Sequence, residues 1–449
     1  MRATRWLPPA IGIAVLAVAL AVAFLPGKAP ASAGGRPASV PARLADYSYL
    51  TGDVSASPPG RAVALYQHGF GVEFMDFPQA VMLGADGDVY RRVGVAEARG
   101  GPETQGDAAP MLLSPDGTRI AVGDYASSAP DVAVLDPTSG RVKVHPVPGG
   151  RSAIPLAWSP DSTLLAYLTT AEPSNPYTGT AITGDVGVLD ARAGTASILP
   201  GPPDVRAVAF SPDGTQMAIH RIEPDGTAED WGIPRLGGGT VDIVALDGTV
   251  RRQIELPSDR YLSGPAAWSP DGTLLATRRQ STECDDQING WDEVPWQRCL
   301  DQQDDTVFVD VAGGGDAVPP ALPTGLVGSH GLLGWTDTDE VIVLDNYPTP
   351  GDPEADTALY WLTAVPLDGG EPRRLSAVPG GGNYGVGNFQ LATALLPDLQ
   401  VREAGEVDRG RWPAWLRLGT AALSACVALL ATRIIIRRTE RPAVPRGPR

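Results

Sequence analysis

Apolar and polar positions along this chain alternate in short runs, and the runs come in pairs separated by turn residues. DVAVLDPTSGRVKVHPV, from Asp131, has period-two alternation on both sides of a Thr-Ser-Gly turn. That is the pattern of two strands joined as a hairpin. Equivalent pairs start at Gly184, Thr240, Asp305 and Leu359. Each is preceded by a second kind of hairpin, in which an apolar run meets Ser-Pro-Asp-Gly and then another apolar run. The copies read LLSPDGTRIAVGD from Leu112, AWSPDSTLLAYLT from Ala157, AFSPDGTQMAIHR from Ala209 and AWSPDGTLLATRR from Ala267, with a degenerate fifth, GWTDTDEVIVLD, from Gly334. In the turn, Pro presets φ, Asp bonds nearby backbone and Gly accepts positive φ. The aligned positions Ser114, Ser159, Ser211, Ser269 and Thr336 are 45, 52, 58 and 67 residues apart. Repeats with stretching intervals are one structural unit with insertions in a loop.

Four strands a-b-c-d per unit make a propeller blade. Before the first full unit, RAVALYQ from Arg61 and QAVMLGADGDVYRRVG from Gln79 supply three strands and lack strand a. After the last unit, NFQLATALL from Asn388 is an unpaired strand a. Pairing these two closes the ring and removes its open edges. The expected fold is therefore all-β, a six-bladed β-propeller over 61–396. Seven blades follow instead if residues 40–60 add strands. The Ser-Pro-Asp-Gly hairpin followed by a "valLD…G" hairpin resembles the TolB-type and WD40-like (PD40-type) repeats of bacterial propellers. The Gly-His and Trp-Asp dipeptides of the WD pattern are absent at the expected places, which makes the TolB-like pattern the better match. The aspartates Asp116, Asp161, Asp213 and Asp271 are expected to build turns rather than act as catalytic acids.

The two ends differ from this pattern. Residues 11–25 are an unbroken non-polar run preceded by Arg2 and Arg5 and followed by small residues. This reads as an export signal over 1–33, cleaved or kept as an anchor. Residues 34–60 have the Pro/Gly/Ala composition of a linker, and 397–413 read as a second, polar one. Residues 414–436 are apolar enough to span a bilayer. Trp412 and Trp415 lie on one side, and the basic tail 437–449 lies on the other. Arginines on the inner side place the C-terminus in the cytoplasm and the propeller on the extracytoplasmic side of the cell membrane. Because the ring opens and closes at blade one, both tethers are expected to leave from the face carrying the Ser-Pro-Asp-Gly turns.

The chain carries −17 overall. Without its basic ends the remainder carries −25, a balance that argues against nucleic acid as a partner. In an exported chain, Cys284 and Cys299 read as a disulfide bracketing one insertion. No metal or cofactor is indicated. The acidic loop 283–305 has oxygen donors for Ca²⁺, but their spacing matches no EF-hand and reads as a solvated loop.

The insertions fall in the b–c loops, on the face opposite the turns; we name the two the loop face and the turn face. These loops carry Trp231, Trp291 and Trp296, and the d–a connections on the same face carry Arg151, Arg206, Tyr261, His330 and Tyr384. Aromatic and charged groups at a channel mouth are candidates for ligand contact. No His-Glu-x-x-His, Gly-x-Ser-x-Gly or phosphate-loop motif occurs, so no catalytic residues are assigned. The expected function is a membrane-tethered binding or scaffold module for a protein, glycan or small ligand on its outer face. The alternatives are a metal-assisted propeller hydrolase or lactonase, and an envelope-assembly component, as the TolB resemblance implies.

Overall fold

The computed structural model describes residue 11 and residues 13–18, 37–69, 78–101, 104–176, 182–222, 237–279, 305–313, 332–345, 359–379 and 386–439. Residues 13–18 are helical. In chain order, β1 (Ser39–Pro41) precedes β2 (Ala62–His68), β3 (Gln79–Gly84), β4 (Tyr90–Arg92) and a short helix α1 (Gly94–Arg99). Blade two follows with β5 (Met111–Leu113), β6 (Ile120–Val122), β7 (Asp131–Asp136) and β8 (Arg141–Pro146). Blade three holds β9 (Ile154–Trp158), β10 (Leu164–Thr169), β11 (Asp185–Asp190) and β12 (Thr195–Ile198). Blade four holds β13 (Val205–Phe210), β14 (Gln216–Arg221), β15 (Thr240–Ala245) and β16 (Val250–Glu255). Blade five shows β17 (Arg260–Leu262), β18 (Leu274–Arg279) and β19 (Asp305–Asp310); its expected fourth strand lies outside the described residues. Blade six holds β20 (Leu332–Asp337), β21 (Glu340–Asp345), β22 (Leu359–Pro366) and β23 (Arg373–Pro379). Then come β24 (Val386–Leu391), β25 (Gln400–Arg402) and the long helix α2 (Ala414–Thr439).

The ring closes as the sequence predicts. β24 pairs antiparallel with β2, so the first blade runs β24-β2-β3-β4, and the propeller has six blades. The Gln390 side chain carries closure into the next blade. Its Nε2 donates to the Met111 carbonyl at 2.9 Å, and its Oε1 accepts from the Leu113 amide at 2.8 Å.

The core is distributed over the seams between blades. Leu112, Val132 and Val134 of blade two pack with Trp158, Leu165 and Tyr167 of blade three. Tyr66 and Phe389 of blade one stack at 5.4 Å among Leu333, Ile342 and Leu362 of blade six. Middle strands are thus covered on both faces, which is why they read as continuous apolar runs while outer strands β8 and β16 stay exposed.

The repeated turns are hydrogen-bonded alike. In the first, Ser114 Oγ donates to Asp116 Oδ1 at 2.7 Å, the Thr118 amide donates to the same oxygen at 2.9 Å, and Ser114 Oγ accepts from the Arg119 amide at 2.9 Å. Ser159, Ser211 and Ser269 each donate to their aspartate at 2.6 Å. Gly117 adopts φ +71° and Gly272 φ +75°. A β-carbon on Gly117 lies 2.0 Å from the Ala62 carbonyl of blade one, whereas one on Gly272 meets nothing closer than 3.7 Å. Gly272→Ala should therefore cost roughly 1–2 kcal/mol for its left-handed backbone alone. Gly117→Ala should cost distinctly more, because main chain at the closing seam must move. Denaturant midpoints of the two variants check this.

Residues 37–60 and 397–411, whose composition reads as linker, pack against the ring. β1 and β25 pair in parallel, and Val40, Leu44 and Val54 are buried. Ser39 sits at the turn face, its amide donating to the Ala85 carbonyl at 2.9 Å. The C-terminal segment does not stay there. Asp408 bridges to Val89, and the Gly52 amide donates to the Arg409 carbonyl while the Gly52 carbonyl accepts from Arg92. The chain thus climbs the outer edge of blade one beside β4 before α2 begins.

Candidate functional site

The loop-face end of the seam between blades four and five gathers cationic and aromatic side chains. In β13, Val205 pairs with Arg221 and Ala207 with His220, leaving Arg206 at a bulge. Bulges re-aim a side chain out of the ladder. Arg206 reaches across the seam to Tyr261 on β17, its guanidinium carbon 5.9 Å from the ring centroid. Arg278 stands opposite Tyr261 on β18 and brings a second guanidinium within 5.7 Å of the same ring. Tyr261 is buried and both arginines are half-buried. Burial pushes Arg206 below the usual arginine range, opposed by Tyr261 and reinforced by the Arg278 charge.

A buried polar layer supports this cluster. Arg221 Nε donates to Asp242 Oδ2 at 2.8 Å, and its Nη1 donates to Asp204 Oδ1 at 2.7 Å and to the Pro202 carbonyl at 2.9 Å. Gln253 Nε2 completes Asp242 at 3.0 Å. His220 is fully buried; Nε2 lies 2.9 Å from the Gly238 carbonyl, and Nδ1 has no hydrogen-bond partner among the described residues. Burial lowers its pKa to about 4, against the Gly238 bond, with the Arg206 charge adding to the depression.

His220 sets a pH window. The folded state holds it neutral down to about pH 4, whereas the unfolded chain takes up its proton near 6.5. The stability it contributes is complete above 6.5 and is lost as pH falls towards 4, on the order of 3 kcal/mol across the window. His220→Gln should remove that component from a plot of unfolding free energy against pH. The turn aspartates act lower. Burial raises Asp116, but the Thr118 amide and the Ser114 and Thr118 hydroxyls outweigh it and leave it below the usual carboxylate range. Asp161 and Asp213 are lowered chiefly by the Ser159 and Ser211 hydroxyls. Their contribution is present above the ordinary carboxylate pKa and disappears only as pH drops below it.

Of the side chains expected at the loop face, Arg206 and Tyr261 come together. Arg151 does not join them. It is exposed, and its Nε donates to the Ser127 carbonyl at 3.1 Å in the blade-two loop. Trp231, Trp291, Trp296, His330, Tyr384, Cys284 and Cys299 lie outside the described residues, as do 283–304 of the acidic loop. Sequence reasoning missed Arg278 and His220, which occupy aligned positions at the ends of the second strands of their hairpins. Among the described residues, no group of three or more His, Cys, Asp or Glu is placed to hold a metal.

α2 contains a 23-residue stretch, Trp415–Arg437, whose most apolar window has mean hydropathy 1.9 and is almost entirely unburied. It is long and apolar enough to cross a bilayer.

No protein-family model matches the chain, and no curated protein matches it. Solved structures do. TolB from Acinetobacter baumannii aligns with TM-score 0.45 and 14% identity, over 74% of this chain and 67% of that one. A protein designated TolB from Agrobacterium tumefaciens aligns with TM-score 0.40 and 13% identity, over 74% and 99%. Pyrococcus horikoshii acylaminoacyl peptidase aligns with TM-score 0.34 and 13% identity, over 57% and 37%. By its own strands this chain is a six-bladed β-propeller, and the solved structures it is similar to include two TolB proteins and part of an acylaminoacyl peptidase.

Proposed function

We propose that the protein is a membrane-tethered, extracytoplasmic binding module whose loop face takes an anionic group. The observation that carries this is the pair of half-buried guanidiniums on Tyr261 at the mouth of one seam. Guanidiniums held this close present several N–H donors at one mouth, a geometry suited to charge-assisted, bidentate hydrogen bonds to a carboxylate or phosphate. The surrounding domain is strongly acidic, so a local cationic cluster selects for ligand geometry rather than bulk charge. The ligand is a carboxylate or phosphate carried by a small molecule, a glycan or a protein side chain. α2 supplies the tether, with its C-terminal arginines on the cytoplasmic side. The Cys284–Cys299 disulfide belongs to the same reading, since an exported chain meets an oxidising compartment; resistance of both thiols to alkylation without reductant is its check.

A thermal-shift panel of acidic and neutral sugars, phosphates and dicarboxylates tests the site. At least one anionic compound should raise the melting temperature of the parent and not of the Arg206→Gln/Arg278→Gln variant. Equal shifts in both proteins overturn the assignment.

A further inference from the structure

The clasp on blade one fixes more than the ring. The Asp408 amide donates to the Asp88 carbonyl at 2.8 Å, and the Tyr90 amide donates to the Asp408 carbonyl at 2.8 Å. Arg91, 4% exposed, donates to the Asp408 carbonyl at 2.8 Å and to its carboxylate at 3.0 Å. Arg402 pairs with Asp88 at 2.6 Å, and Arg409 reaches the Asp46 carbonyl at 2.9 Å. The chain is therefore held to the ring through Arg409, and the Gly52 backbone packs against Arg411. α2 begins at Ala414, so only Trp412 and Pro413 separate the clasped segment from the helix. At 3.3–3.6 Å per extended residue, that connection spans about 10 Å.

The same edge exposes apolar surface next to the helix start. Leu50, Val407 and Trp412 line one shallow depression, and Tyr49 precedes Leu50 in the chain. Tyr49 is 53%, Leu50 39%, Val407 38% and Trp412 47% exposed, and Trp415 in the first turn of α2 is 63% exposed. Aromatic side chains beside a spanning helix prefer the headgroup zone, where an apolar body and a polar tip are both satisfied. Glu406, Asp408 and Arg409 line the same depression, a polar content that suits the headgroup layer rather than the hydrocarbon core.

We infer that the outer edge of blade one, through Tyr49, Leu50, Val407 and Trp412, rests in the interfacial layer of the bilayer. This rests on the reading of α2 as membrane-spanning. The disc is held against the membrane by its rim, with blade four across the ring farthest from it. Neither the loop face nor the turn face is covered by lipid, and the seam of Arg206, Tyr261 and Arg278 opens sideways to its ligand.

The experiment places the photo-reactive residue p-benzoylphenylalanine in the full chain in native membranes, at one position at a time. The positions are Leu50 on the edge, Leu423 in α2 and Val250, an exposed residue on the outer strand of blade four. Lipid adducts are read by mass spectrometry after irradiation. The inference expects adducts at 50 in yield comparable to those at 423, and loss of the signal at 250. Adducts at 423 with none at 50 overturn the edge contact and leave the spanning helix intact. No adducts at 423 overturn the spanning reading and the edge contact with it. Equal yields at 50 and 250 also overturn the inference, since the label then reports random collision.

Discussion

A chain that stops at residue 385 is expected to lose the cooperative fold of all six blades. β24 supplies the innermost strand of blade one, and with it Val386, Phe389 and Leu391, all buried in the seams. Phe389 leaves Tyr66 without its stacking partner. Loss of Gln390 also removes the hydrogen bonds to the Met111 carbonyl and Leu113 amide of blade two, each worth about 0.5–1.5 kcal/mol net. The same truncation removes the clasp of residues 400–411 from the edge of blade one. A separate internal deletion of 386–391 isolates the closing strand from the clasp. Both should abolish the near-ultraviolet circular dichroism of the ring and its single unfolding transition. A truncated chain that melts like the parent would show that closure does not depend on β24.

Arg221→Met is expected to have the next largest effect. Arg221 and Asp242 are both nearly buried and hold a direct ion pair. Removing one partner strands the other charge, which costs about 3–5 kcal/mol. Replacing both, as Arg221→Met/Asp242→Leu, should recover part of that loss because no uncompensated charge remains. Asp204→Asn should cost less than Arg221→Met, since Asp204 is partly exposed and Arg221 keeps Asp242. Chemical unfolding of the three variants gives the order. A double variant no better than Arg221→Met would mean that packing, not charge, dominates the site.

The sequence made the ring legible because its signals are local. Ser-Pro-Asp-Gly at the end of an apolar run specifies a hairpin wherever it sits, and its side chains find partners within five residues. Closure was legible by arithmetic on strands, since a blade lacking strand a and an orphan strand a complete one another. The packing of the segments flanking the ring was not legible. Residues 37–60 read as linker from their Pro and Gly content, yet Val40 and Leu44 are buried against blades one and six. Val40 also pairs with Val401 across β1 and β25, a contact between opposite ends of the chain of which composition carries no trace.

The site was half legible. Arg206 and Tyr261 stood out as polar groups in d–a connections, but what joins them is a bulge at Arg206 and the register opposite Arg278. Neither can be read without the paired strand. One further signal lies in the aligned repeats. Where the third blade has Leu168 at the end of strand b, the fourth and fifth have His220 and Arg278. A change from apolar to ionisable at an aligned strand position marks a place where the repeat departs from its structural role.

The most direct test of a loop-face binding module is site-specific photo-crosslinking in intact envelopes. One probe replaces Arg151 on the loop face, and the other replaces Asp213 in a turn on the opposite face. A binding site on the loop face should give capture of an envelope component from position 151, weakened when Arg206 and Arg278 are changed to Gln, and none from position 213. Capture from 213 alone, or capture from 151 that ignores both arginines, would contradict it.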